Sequence, residues 1–344
     1  MSARSRLRTL SRILLLSLVG VLIAAAAGWG VLAIEYRAPV DAALRHLLGA
    51  ALVLLAVGAV VGLFARRARR ATAAFLVGFA AMLVWWSRIE PRNDRDWQPD
   101  VARLASAEVD GDRVTIRNIR NNDYRSETDF TPRYYDRTFD LRTLDTLDII
   151  ATYWMGDAIA HVMVSFGFSG KDYLTVSIET RKERGESYST LAGFFREYEL
   201  YYVVADERDL IRLRTNYRHD PPEDVYVYRT KAPPENVRRL FLSYLKAINA
   251  LNERPEFYNT LTTNCTTTIW QLSKVNQQSL KPNWKILVSG YLPQLLYETG
   301  RLDTRLPFAE LRERSHVNAA AQAANEAEDF SQRIRASVPM PPPP

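Results

Sequence analysis

The chain has 344 residues, with 45 Lys and Arg against 39 Asp and Glu, four His and one Cys. A single cysteine excludes an intrachain disulfide, and the four scattered histidines show no helical metal-ligand spacing. The net charge of +6 partly reflects arginines beside apolar stretches, so it reads as membrane topology and not as nucleic-acid binding.

Three apolar stretches come first: Ile13 to Ile34, Leu47 to Phe64 and Ala71 to Trp86. A hydrocarbon core about 30 Å thick needs roughly 20 apolar helical residues. The first stretch meets that length, the second meets it narrowly and the third is short. Two further spans after the first argue against a cleaved signal peptide. Arg4, Arg6, Arg8 and Arg12 precede the first span, and Arg66, Arg67, Arg69 and Arg70 separate the second from the third. Basic residues collect on the cytoplasmic side. The N-terminus is therefore expected inside and everything after Trp86 outside. In this Arg- and Ala-rich, bacterial-looking sequence, that means the inner membrane and the periplasm. Trp85 and Trp86 fall where an interfacial aromatic belt is expected.

Residues 87–106 read as a polar linker with Pro91 and Pro99. Asp110-Gly111 divides two alternating stretches and signals a hairpin. A second hairpin is expected from Ala160–Phe168 and Tyr173–Thr180 around Ser169-Gly170. Ser187–Phe195 looks helical, Glu199–Ala205 is a strand, Asp206 caps a short helix and Val225–Thr230 is another strand. Pro233-Pro234 opens a helix from Glu235 to about Leu251, with Leu240, Phe241, Tyr244, Leu245 and Ile248 on one face. Further helices are expected from Cys265 and over Tyr291–Tyr297. Residues 319–344 read as a polar tail, and Pro341–Pro344 as unable to pack a core. The fold class is α+β: a three-helix transmembrane anchor (residues 1–86), then an exported domain (residues 107–318) with an antiparallel sheet and segregated helices.

The chemistry narrows by elimination. HExxH, CxxC, a Walker loop and GxGxxG are absent, and GFSG lacks the spacing of a GxSxG elbow. No cofactor or metal is called for. What remains is Cys265 with a histidine. Asn264 or a neighbouring threonine can cap the helix that begins at Cys265, leaving the thiol at a helix N-terminus that favours thiolate. The N–H groups there, at Cys265 and Thr266, can hold an oxyanion. The alternative is an inert, buried cysteine. His161 begins a hairpin strand and is the preferred base. His219 reads as a loop residue, His316 lies near the tail and His46 lies at a membrane edge. A two-residue hairpin loop would put His161 opposite Ile178. One residue more or fewer puts it opposite Glu179 or Ser177, and either could orient the imidazole. Glu179 could equally pair with Arg181 or Lys182. Asp206, Arg208 and Arg214 read as a structural ion-pair network.

The stretches VTIRNIRNNDYRSE, HVMVSFGF, VSIETRKERGESYS, YYVVADERDLIRLRTNYR and FYNTLTTNCTTTIW, in this order, resemble the bacterial Lnb N-terminal periplasmic domain family over roughly Asp96 to Leu311. The resemblance implies that His161 and Cys265 are the family's histidine and cysteine. It also implies a remote likeness to NlpC-type and papain-like thiol enzymes. The histidine-first order is similar to the circularly permuted branch containing lecithin:retinol acyltransferase, which also carries an Asn-Cys pair at a helix start. Lnb proteins are associated with N-acylation of lipoproteins. In that family a membrane region follows the domain, whereas here the three spans precede it.

The expected function is thus a membrane-anchored periplasmic thiol acyltransferase or acyl hydrolase. Its partners would be a phospholipid membrane and a lipoprotein or other amine acceptor. Arg117, Arg120 and Arg125 could hold a lipid phosphate, or simply form a solvated strand face. A cell-wall cysteine peptidase or amidase and a non-catalytic binding module are the competing readings.

Overall fold

A computed structural model of the protein describes residues 3–64 and 68–341. Arg66 and Arg67 of the basic turn, and Pro342 to Pro344, lie outside the described residues. The chain divides into two compact units. One comprises Met1–Pro91 with Ser189–Glu197, the other Arg92–Tyr188 with Tyr198–Pro344.

The first unit holds three helices, α1 (Ala3–Arg37), α2 (Ala42–Phe64) and α3 (Ala68–Ser87). Each contains a stretch long and apolar enough to cross a membrane, and together these cover Arg6–Arg37, Ala42–Phe64 and Arg70–Ser87. With 20 residues, α3 reaches about 30 Å, so the third span is less short than its apolar core suggests. Large side chains face outward, Leu54 and Val77 each 71% exposed, while Ala59 is wholly buried. That inversion suits a bundle in lipid, where close packing of small residues replaces a hydrophobic core. A Cβ on Gly30 would lie 2.6 Å from Leu52 and 2.7 Å from Met82, so the glycine sets how closely α1 meets α2 and α3. Within Ser189–Glu197 the expected helix is only a 3₁₀ turn, Ala192–Phe194.

The second unit is built on an eight-stranded sheet. Its strands are β1 (Ser106–Asp110), β2 (Arg113–Arg120), β5 (Tyr134–Asp140), β6 (Leu144–Tyr153), β7 (Ala160–Phe168), β8 (Asp172–Arg181), β9 (Glu199–Asp206) and β10 (Asp224–Arg229). The short pair β3 (Asp123–Tyr124) and β4 (Phe130–Thr131) stands apart. The order is β1-β2-β9-β8-β7-β6-β10, with β5 also on β2. Pairing is antiparallel except where β2 meets β9 in parallel, Arg120 against Ala205, a departure from the all-antiparallel expectation.

Phe168 pairs with Asp172, so the β7–β8 loop has three residues, Ser169 to Lys171. Ser169 and Gly170 both adopt left-handed backbone, which a tight loop requires. The helix α5 (Pro234–Glu253) covers one face of the sheet, where Phe166 meets Phe241 at 4.9 Å and Tyr244 at 5.6 Å between ring centroids. The helices α6 (Cys265–Ser273), α7 (Trp284–Leu287), α8 (Leu292–Glu298) and α9 (Phe308–Ser315) follow it in the chain.

The other face is covered from an unexpected source. Residues after Ala319 do not form a loose polar tail. They fold as α10 (Asn318–Ala323) and α11 (Phe330–Arg333), and Ala321, Ala324, Phe330, Ile334 and Val338 join Ile150, Met163 and Val203 in one buried cluster. Their apolar residues are few and widely spaced, which hides the pattern in the sequence. Arg335 completes the attachment. Its guanidinium donates to Asp148 at 2.9 Å and to Glu207, on α4 (Glu207–Arg212), at 2.7 and 2.5 Å. It also lies 3.6 Å from the Tyr173 ring centroid. Removing one partner of a buried ion pair leaves uncompensated charge. Arg335→Ala is therefore expected to lower unfolding free energy by about 3–5 kcal/mol. Arg333→Ala, which loses an exposed pair with Asp329, should cost at most about 0.5 kcal/mol. Denaturant titration of both variants checks the contrast.

Candidate active site

The site forms where one end of β7 and β8 meets the start of α6. Asn264 is the N-cap of α6: its side chain accepts from the Thr267 N–H at 3.0 Å, and the Thr267 hydroxyl accepts from the Asn264 N–H at 3.0 Å. This reciprocal box satisfies two free helix-end donors and fixes where α6 starts. Thr266 ties the first turn to α7 by donating to the Ile286 carbonyl at 2.7 Å. Cys265 is consequently the first helical residue, buried, with its thiol free.

The β7–β8 register continues past Met163↔Ser177 and carries His161 towards Glu179. Both candidate orienting residues are used, in series. Ser177 Oγ donates to Glu179 Oε1 at 2.8 Å and lies 2.7 Å from His161 Nε2. With its proton directed at the carboxylate, the hydroxyl accepts from Nε2–H. The Cys265 thiol lies close enough to act on the titration of His161, and His161 on that of the thiol. Glu179 Oε1 also lies 3.5 Å from Nε2.

Glu179 is held in turn by Arg214, whose Nη2 donates to it at 3.2 Å. Arg214 donates to Glu223 at 3.1 Å, and Arg218 bonds both Glu223 at 2.8 Å and Glu127 at 2.9 Å. In the sequence Arg214 looks purely structural, and nothing there singles out Glu223. The available signal was the spacing of Arg214 and Arg218, four residues apart. Arg214 sits on a π-helical turn, Leu213–Tyr217, that follows α4.

Electrostatics couple the titration of the pair. Burial pushes the Cys265 thiol up, but the hydrogen bond and charge of His161, with backbone hydrogen bonds at Val162 and Thr266, outweigh it and leave the pKa lowered. Burial and then the Arg214 charge oppose protonation of His161. Its hydrogen bonds to Cys265 and Glu179 outweigh both, and its pKa is raised. Burial also opposes the Glu179 charge, yet His161 and Arg214 hold its pKa well below the ordinary carboxylate range. Thiolate and imidazolium are therefore favoured together.

Other candidates fall elsewhere. His316 faces Asp224 at 3.2 Å, and His46 lies 3.7 Å from Glu35. His219 bridges to Pro222 in a loop. Of the arginines considered for a lipid phosphate, Arg120 is 3% exposed and paired bidentately with Asp209 at 2.7 and 3.1 Å. It cannot present itself to a headgroup, and its charge instead helps keep Glu179 ionised. Arg117 pairs with Asp136 at 3.5 Å and Arg125 with Asp129, both on the exposed surface.

Residues 130–293 match the model of the Lnb N-terminal periplasmic domain. This Lnb-like segment contains β7, β8, the Arg214 turn and α6, and so every residue of the Cys265–His161–Ser177–Glu179 line. No curated protein and no solved structure matches the chain.

The pH profile of Cys265 alkylation by iodoacetamide tests the pair. The lowered thiol pKa means that fast alkylation begins below the ordinary thiol range and is lost only as pH falls through the folded value. The raised His161 pKa means that the imidazolium form is lost as pH rises through its folded value. His161→Ala should move the onset of reactivity upward in pH. Glu179→Gln should move it in the same direction by less.

Proposed function

We propose that the protein is a membrane-anchored periplasmic thiol enzyme that transfers or hydrolyses acyl groups, with its N-terminus cytoplasmic. The observation that carries this reading is a buried thiol at the capped start of α6, electrostatically coupled to a histidine that Ser177 links by hydrogen bonds to Glu179. The orientation rests on Arg4, Arg6, Arg8 and Arg12 before the first apolar stretch and on Arg66, Arg67, Arg69 and Arg70 between the second and third, set against Arg37 and Arg45 with Glu35 and Asp41 on the opposite side.

In this reaction the Cys265 thiolate attacks an ester carbonyl. A C–S bond forms, and the carbonyl electron pair moves to oxygen. N–H groups at the start of α6 stabilise that oxyanion. The intermediate collapses as the C–O bond breaks, and the departing alkoxide takes the proton from His161. An amine or water then attacks the thioester, His161 removes its proton, and the C–S bond breaks to return the thiolate. Ser177 and Glu179 hold the imidazole in the tautomer this requires.

A fatty acyl group of a phospholipid or lipoprotein is the substrate best supported. A cavity of about 730 Å³ lies between the sheet, α5, α6 and α8, and it reaches Thr266, next to the nucleophile. Leu147, Ile149, Val164, Leu240, Ile269 and Leu295 are among its walls. Lys231, Asn236, Gln278 and Arg301 also line it, so the cavity suits a ligand with both an alkyl chain and a polar group. A membrane anchor raises the effective concentration of lipid esters.

Intact-mass measurement after incubation with phospholipid bilayers tests the proposal. A hydroxylamine-labile acyl adduct is expected on the wild type and none on Cys265→Ala. His161→Ala should form it about 10²–10⁴-fold more slowly, the range for losing a general base. An unmodified wild-type protein whose Cys265 is inert to thiol reagents would sink the enzyme reading.

A further inference from the structure

The sequence of the exported domain contains a nine-residue excursion, Ser189–Glu197, that packs as part of the unit formed by the membrane helices. Its contacts there are specific. The Phe195 ring stacks on Tyr36 at 5.6 Å and meets Trp29 at 6.4 Å and Trp86 at 6.5 Å between centroids. Arg196 donates to the Trp86 carbonyl at 2.8 Å, and its guanidinium lies 4.9 Å from the Trp86 ring centroid. Arg37 lies 4.0 Å from the Glu197 carboxylate. All these partners belong to the ends of α1 and α3, where tryptophan and tyrosine accumulate as they do at the headgroup level of a bilayer.

The turn itself has two unlike sides. A 3₁₀ turn repeats every three residues, so positions i and i+3 eclipse. Ala192 and Phe195 share one side and are buried, 2% and 4% exposed. Leu191 and Phe194 share another and are 46% and 40% exposed. Two large apolar side chains are thus exposed on a turn whose other side packs against the aromatic ends of α1 and α3.

We infer that Ser189–Glu197 is an interfacial lipid-binding element, with the Leu191 and Phe194 side chains lodged in the boundary between headgroups and acyl chains. The occupant of this surface is the bilayer itself. The segment's buried aromatic and its two arginine contacts fix it to the helix ends, and its apolar side meets lipid. The excursion makes part of the exported domain's chain a component of the membrane anchor, separate from the covalent link through Pro91.

Cys265 is the only cysteine, so Cys265→Ala gives a clean background for site-directed spin labels. Leu191→Cys and Phe194→Cys would be labelled in the full chain, in nanodiscs of phosphatidylethanolamine and phosphatidylglycerol. Leu54→Cys on the outside of α2 and Ser126→Cys on the exposed surface of the second unit serve as references. Collisions with dissolved oxygen report lipid, and collisions with a water-soluble nickel chelate report solvent. The expected result at residues 191 and 194 is oxygen accessibility well above the Ser126 reference, with nickel accessibility well below it. Nickel accessibility equal to that at Ser126 would overturn the inference, because the turn would then be in water. Low accessibility to both reagents would overturn it too, because protein and not lipid would then cover the turn.

Discussion

A charge buried away from water must find an opposite charge or a set of hydrogen bonds. In this protein that requirement organises the region around Cys265. A thiolate at Cys265 calls for an imidazolium at His161. The imidazolium is matched by Glu179 through Ser177, and Glu179 by Arg214. Arg214 is matched by Glu223, Glu223 by Arg218, and Arg218 by Glu127. Signs alternate along the whole line, from a buried sulfur to a half-exposed carboxylate. Removing a middle member would leave like charges or an unpaired one inside the protein. The same alternation explains why burial, which opposes every one of these charged forms, does not win at Cys265, His161 or Glu179.

The scaffold supplies the two rigid parts that this line needs. One is a pair of central strands, β7 and β8, covered on one face by α5 and on the other by the C-terminal helices. The other is the capped start of α6. Covering both faces lets β7 be buried along nearly its whole length, which fixes the height of His161 at its end. Asn264 and Thr267 then fix the position of Cys265 independently. A second ionic knot, with Arg335 between Asp148 and Glu207, fastens the C-terminal segment over the sheet. It follows the same rule as the line from Cys265 to Glu127.

Much of this was legible in the sequence, for identifiable reasons. The face Leu240, Phe241, Tyr244, Leu245 and Ile248 predicts α5, and all five residues are buried. Asn264 before a threonine-rich run predicts the cap. Ser169-Gly170 predicts the hairpin, but not whether Lys171 belongs to the loop or the strand, and that one residue decides which side chain meets His161. The answer, Ser177 and Glu179 together, needs the diagonal geometry of a three-residue loop. Arg214 escaped because its role depends on a π turn and on a carboxylate 35 residues away in sequence. The residues after Ala319 escaped because alanines and isolated apolar residues carry no period, although they fill a core built by distant strands. Ser187–Phe195 looks helical in the sequence, but only Ala192–Phe194 forms a 3₁₀ turn. The two sides of that turn face different surroundings.

The claim on which the account turns is that Ser177 and Glu179 act in series on His161, as one device and not as two independent contacts. A double-mutant cycle tests this without any assumption about substrate. The second-order rate of Cys265 alkylation at neutral pH would be measured for wild type, Ser177→Ala, Glu179→Gln and the double variant. The account predicts that the double variant reacts no more slowly than the slower single variant, because breaking the line once already releases the imidazole. Losses that multiply, with each substitution acting fully in the presence of the other, would contradict it.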